Sequence, residues 1–85
     1  MNRIYLIQYN MSEDSVIINR IKNLGNWVQY FGKSWLVKSN LSAKEIYEKL
    51  TVDYEKESFF IIELTTSNYW GRMNTKLWDW IKENK

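Results

Sequence analysis

The chain is expected to fold as one α+β domain over residues 1–85, with a four-stranded antiparallel sheet and helices packed against it. Two observations predict this. Strand-like runs alternate with segments of helical period in the order strand, helix, strand, strand, helix, strand, and a Trp-rich helical segment closes the chain. In addition, 5 Trp, 6 Tyr and 3 Phe crowd into 85 residues, supplying large apolar side chains to a chain near the lower size limit for standing alone. The sequence holds no Cys and no His. Disulfides and the common Cys/His structural zinc sites are therefore excluded as reinforcement. Aromatic packing, or association with a second copy, remains.

Each element has its own signal. Arg3 to Tyr9 (RIYLIQY) is apolar on both faces and rich in β-formers, as a central strand covered on two sides would be. Ser12 reads as an N-cap, with Glu13 and Asp14 in the first turn, where the helix dipole favours acidic groups. Val16, Ile17, Ile21 and Leu24 recur at helical spacing and Gly25 supplies a stop, so a helix is expected from about Glu13 to Leu24. Trp27 to Phe31 and Ser34 to Ser39 are short aromatic strands joined through Gly32-Lys33, the pattern of a hairpin. Ser42 and Glu45 form a capping box, and Leu41 with Ile46 fits a hydrophobic staple. That helix should run to Leu50 or Thr51 with Ile46, Tyr47 and Leu50 inward. After a charged link, Phe59 to Leu64 (FFIIEL) reads as a fourth strand, apolar on both faces except at Glu63. A polar-aromatic loop follows from Thr65 to Met73. Asn74 or Thr75 caps the last helix, whose Leu77, Trp78 and Ile81 face inward with Trp80 beside them.

The order βαββαβ with a final α is that of the ferredoxin-like split βαβ arrangement. Its crossovers are expected to be right-handed. The sheet order is expected to be 4-1-3-2, with the two main helices on one face. The opposite face then needs a cover, from the C-terminal Trp helix, from a second subunit, or from both.

Composition narrows the function classes. Net charge is +2 and the pI is about 8.9, mildly basic and short of the ~9 expected of a dedicated nucleic-acid binder. No apolar run approaches the ~20 residues of a membrane span. The chain enters a strand at once, without the basic and apolar regions of a leader, so a cytoplasmic protein is expected. Without His or Cys there is no His-containing triad, no imidazole base and no thiol nucleophile. Gly25, Gly32 and Gly71 are too dispersed for a phosphate-cradling loop. No catalytic set, no metal site and no cofactor is expected.

The candidate contact residues are Asn10, Lys33, Lys38, Trp70, Arg72 and Lys76. Asn10 ends the first strand at the centre of the sheet. It is either a turn residue or a polar contact at a dimer axis or a phosphate. Lys33, Lys38, Arg72 and Lys76 lie nearest to aromatics expected at the surface, Tyr30, Trp35 and Trp70. A cation beside such a ring suits phosphate contact with base stacking, and an ordinary solvated surface is the competing account. Tyr69-Trp70-Gly71-Arg72 is the most site-like segment, although a loop Trp can also plug an open sheet face. Glu13 and Asp14 are expected as dipole partners, and Glu63 as a charge on the exposed side of its strand or a partner of Arg3 or Arg72.

A family resemblance rests on Tyr5-Leu6-Ile7-Gln8-Tyr9-Asn10, Trp27, Ser34-Trp35-Leu36-Val37, Ser42-Ala43-Lys44-Glu45-Ile46, Phe60-Ile61-Ile62-Glu63-Leu64 and Trp78-Asp79-Trp80-Ile81. Through these the chain resembles Cas-two, the smallest subunit of the CRISPR spacer-acquisition complex, and the short Cas-two-like proteins labelled "SinR family". The resemblance implies a symmetric homodimer packed through its sheets and a role in phage defence. Some members of that family cleave nucleic acid with a metal held by an Asp at the end of the first strand, and others only scaffold DNA. Asn10 stands at that position here, and it lacks the charge a hard cation requires. The family's usual fifth strand is replaced here by the Trp helix.

Three functions are thus expected to compete. One is a non-catalytic, dimeric Cas-two-like protein that binds DNA, RNA or a nucleic-acid-processing complex. Another is a small protein-interaction module, an accessory or inhibitor from a mobile element, using its aromatic surface. The third is a weak metal-dependent nuclease using Glu13 or Asp14.

Overall fold

The computed structural model describes residues 2–65, 71–72 and 75–84. Its elements are β1 (Arg3–Asn10), α1 (Ser15–Lys22), β2 (Asn26–Phe31), β3 (Ser34–Ser39), α2 (Ala43–Leu50), β4 (Ser58–Leu64) and α3 (Thr75–Asn84). The strands form one antiparallel sheet in the order β2-β3-β1-β4. This is the ferredoxin-like arrangement with a C-terminal helix, in the strand order the sequence predicts.

Strand alternation sorts the side chains into two cores. On one face Tyr5, Ile7 and Tyr9 of β1 join Trp35 and Val37 of β3, covered by Ile17 and Ile21 of α1 and Ile46 and Leu50 of α2. On the other, Val28 of β2 and Leu36 of β3 pack against Leu77 and Ile81 of α3, with Leu6, Tyr30, Leu64, Trp78 and Trp80 around them. Helices therefore lie on both sides of the sheet, which is why β1 is apolar on both faces. The C-terminal helix docks on its own sheet, chiefly along β2. There the Asn26 amide donates to Oδ1 of the buried Asn84 at 3.3 Å.

Local geometry departs from expectation at four places. First, α1 begins at Ser15 with Asp14, not Ser12, at the N-cap, and ends at Lys22. The Asp14 carboxylate makes no cap bond, because Tyr9 takes it. Glu13 instead accepts from the Ser15 hydroxyl at 2.9 Å. Second, Val16 is 45% exposed. The i, i+4 pair Ile17 and Ile21 takes the inward position, and Val16, one residue round the helix, is turned away. Third, Tyr47 is 50% exposed, for the same reason: Ile46 and Leu50 carry the buried stripe of α2. Fourth, Gly25 is needed for space rather than for a left-handed turn, since no described glycine has positive φ. An added Cβ at Gly25 would fall on the Lys38 carbonyl oxygen, so α1 hands over to β2 directly against β3.

Other local signals hold. Ser42 Oγ accepts from the Glu45 N–H at 3.1 Å and Glu45 Oε1 accepts from the Ser42 N–H at 3.0 Å. Leu41 packs against the core that contains Ile46. The β2–β3 hairpin turns at Gly32-Lys33, with a register shift between Gln29 and Phe31. Neither turn residue has positive φ. The bulge thus supplies local twist that a mirror-image turn would otherwise provide. Among the described residues no helix is long and apolar enough to cross a membrane.

Candidate interaction site

Asn10, the last residue of β1, pairs with Ser58 of β4. It opens onto a shallow cleft of about 340 Å³ that is also lined by Gln8, Lys33, Ser34, Ser58 and Phe60. Tyr9 and Lys33, which also line the cleft, belong to a polar knot. The Tyr9 hydroxyl donates to Asp14 Oδ2 at 2.7 Å, and Lys33 Nζ lies 3.6 Å from the same oxygen. The Lys33 ammonium also donates to the Met11 carbonyl and sits 5.7 Å from the centroid of the Tyr9 ring. Burial, then the bond to Asp14, pushes the Tyr9 phenol up to about 12. That bond, assisted by the Lys33 charge, holds the Asp14 carboxyl below its ordinary value. Burial of the carboxyl opposes the shift and is outweighed. The Trp35 indole nitrogen approaches the phenol and draws its pKa partly back. Its geometry falls short of a hydrogen bond, so Nε1 is buried without a partner.

This knot is built to hold the 11–14 connection and the hairpin turn onto β1. Lys33 and Asp14 compensate each other at close range, which mutes the field either would project into the cleft. Among the described residues no group of three or more His, Cys, Asp or Glu side chains could hold a metal ion.

The predicted contact residues are distributed unevenly. Asn10 and Lys33 meet at the cleft. Lys38 pairs with Ile4 and Asn26, at the opposite end of the sheet, about 20 Å along β1 from Asn10. Arg72 and Lys76 are exposed, just before and within the first turn of α3. Trp70, and Asn74 as a cap, lie outside the described residues. Trp35, expected as a surface ring beside a cation, is buried in the core beneath α1 and α2, with its centroid 5.4 Å from that of Trp27. Its place follows from register: it pairs with Ile7, and both point to the helix side. Glu63 is exposed and lies 3.8 Å from Arg3 Nε.

A second feature was not singled out from sequence. α3 covers the β2–β3 half of its face and leaves the β4 side open. Phe60 is 53% and Ile62 41% exposed there, opposite Gln8 and Leu6 of β1. The signal was present: FFIIEL is apolar on both faces, and the 4-1-3-2 order puts it at an edge, where one face of a strand is ordinarily polar.

Comparison with known proteins places the chain only at the level of family. The model of the family described as "Protein of unknown function (DUF3884)" matches residues 1–69. The chain belongs to the DUF3884 family. The matched span takes in β1 through β4, and therefore the knot, the cleft and the open apolar strip, while α3 lies beyond it. No curated protein and no solved structure matches the chain.

Proposed function

We propose that this DUF3884 member is a non-catalytic protein-interaction module whose contact surface is the open β4 side of the sheet. The observation that carries this reading is the pair Phe60 and Ile62, large apolar side chains left half in water on the same face of β4. Apolar side chains clustered on a fixed backbone serve as binding hot spots because their burial needs little reorganisation. The test is affinity capture with wild-type protein and with the Phe60→Ser/Ile62→Ser double variant. A bound protein retained by the first and lost from the second supports the reading. Equal retention by both overturns it.

A second reading keeps the Cas-two-like, dimeric nucleic-acid-binding protein. It is favoured by the exposed Arg72 and Lys76, four residues apart with no carboxylate between them in sequence. Anisotropy of labelled duplex and single-stranded DNA and RNA decides it. Binding that weakens steeply with salt, and more so in Arg72→Ala/Lys76→Ala, supports this alternative. No binding at low salt removes it.

A further inference from the structure

The two edges of the sheet differ in how they are protected. Natural edge strands are guarded by bulges, prolines, inward charges or covering elements, because a bare edge presents unpaired N–H and C=O groups to any other strand. The β2 edge carries a bulge at Gln29/Phe31, touches α1 and α3, and is tied to α3 through Asn26 and Asn84. Among the described residues the β4 edge carries no bulge, and α2 covers only one face of the strand, leaving its outer edge unpaired with any other strand. It pairs with β1 in unbroken register from Ser58 to Leu64, contains no Pro and no Lys, and carries one charge, Glu63.

We infer that β4 is the seam of a homodimer in which two copies of this chain join their sheets edge to edge, antiparallel, about a two-fold axis at Ile61. This deepens, and rests on, the protein-interaction reading above.

The strand itself selects a second copy as occupant. With the axis at Ile61, Phe60 lies opposite the second copy's Ile62, and Ile62 opposite its Phe60. The exposed pair thus becomes one continuous apolar strip on the open face. Charges agree with the same register. Glu57 comes opposite the second copy's Thr65, which neighbours Arg3 on β1. Pairing continued one residue beyond each end of β4 would bring Glu57 and Arg3 onto the α1/α2 face, two strand spacings or about 10 Å apart. Arg3, already beside its own Glu63, would then bridge to the second copy's Glu57. Like charges stay apart: Glu63 meets Phe59, and the two Glu57 residues lie at opposite ends of the seam.

The full chain should be tested by light scattering coupled to gel filtration over a wide concentration range. A doubled mass is expected, shifted at least about tenfold toward monomer in Ile62→Lys, with circular dichroism unchanged. Because the chain has no Cys, Ile61→Cys supplies a second test. Directly opposed antiparallel residues approach to about 4.5–5.5 Å, within disulfide reach, so mild oxidation should join two chains. Val52→Cys, more exposed than Ile61 but off the seam, should not be joined. A wild type that stays monomeric throughout overturns the proposal. So does a dimer that Ile62→Lys leaves intact while Ile61→Cys fails to cross-link. In either case, loss of a captured protein on Phe60→Ser/Ile62→Ser would still uphold the interaction reading, so the two failures are distinguishable.

Discussion

Tyr9 and Arg20 show how single side chains join segments distant in sequence. The folded Tyr9 phenol titrates at about 12, above the ~10 of an unfolded tyrosine. A raised pKa in the fold means stability that is present below about pH 10 and lost as pH rises toward 12. The Asp14 carboxyl is held below its ordinary value, so its contribution is present above about pH 4 and lost as pH falls through the folded value. Tyr9→Phe removes both partners' advantage at once. It should lower stability by about 1–2 kcal/mol near neutrality and flatten the pH dependence of denaturant midpoints at both ends. An unchanged profile would show that the knot is not coupled to folding. Arg20 was not recognised from sequence, where it is one cation on an amphipathic helix. Its guanidinium donates to the Leu50 carbonyl at 3.1 Å and the Val52 carbonyl at 2.7 Å, and lies 5.4 Å from the Tyr54 ring centroid. It thereby satisfies carbonyls at the end of α2 from α1. Both bonds leave Nη1 while the guanidinium lies over the Tyr54 ring, a combination of reach and stacking that the compact lysine ammonium does not reproduce. Arg20→Lys should therefore cost about 1–2 kcal/mol in denaturant titration, more than the near-zero change of an ordinary surface Arg→Lys.

At the level of elements, caps and close approaches define the ends. The Ser42/Glu45 box was legible because capping is local: both partners lie within one turn, and no tertiary contact has to be known. Ser42→Ala should lower stability by about 1 kcal/mol, read as a thermal midpoint shift of several degrees for a domain this size. The start of α1 was misread for the opposite reason. Ser12, Glu13 and Asp14 are all acceptable near an N-terminus, and Tyr9 decided among them by taking the Asp14 carboxylate. Gly25 was read correctly as a boundary but for a different cause. Its constraint is the Lys38 carbonyl, which comes from a strand that sequence proximity cannot reveal. Gly25→Ala should destabilise by about 1–3 kcal/mol or more through forced backbone displacement, where an ordinary helix-end Gly→Ala with negative φ would be neutral or stabilising. Thermal melts of Gly25→Ala and of Gly32→Ala separate these cases, since nothing lies near an added Cβ at Gly32.

Across the whole molecule, the fold divides its aromatic and aliphatic content between two cores and a remainder. α3 supplies the second core through Leu77 and Ile81. Removing that cover would expose Val28 and Leu36 on a sheet that has no other helix on that side among the described residues. Leu77→Ala should therefore cost about 2–3 kcal/mol and raise the binding of an apolar fluorescent dye. A variant with neither effect would mean that α3 does not hold the open face closed. Among the described residues the apolar remainder is Val16, Phe31, Tyr47, Val52, Phe60 and Ile62; of these, Phe60 and Ile62 share one face of β4, and the interaction and dimer readings both rest on that pair. Of the basic positions that prompted the nucleic-acid reading, Lys33 is paired and Lys38 stands at the far end of the sheet from Asn10.

By itself, the sequence determined the element order, the strand order, the capping box and the inward stripe of α3. Each of these follows from local period, capping chemistry and the small set of topologies open to βαββαβ. Only the tertiary structure decided which apolar residues are left outside. Val16 and Tyr47 are exposed because they sit one residue round from the buried stripes of α1 and α2, and Phe60 and Ile62 because α3 stops short of β4. The same holds for Trp35, Lys33 and Asp14. Whether a ring or a charge faces water is set by strand register and by partners far away in the chain, neither of which is encoded in a residue's immediate neighbours.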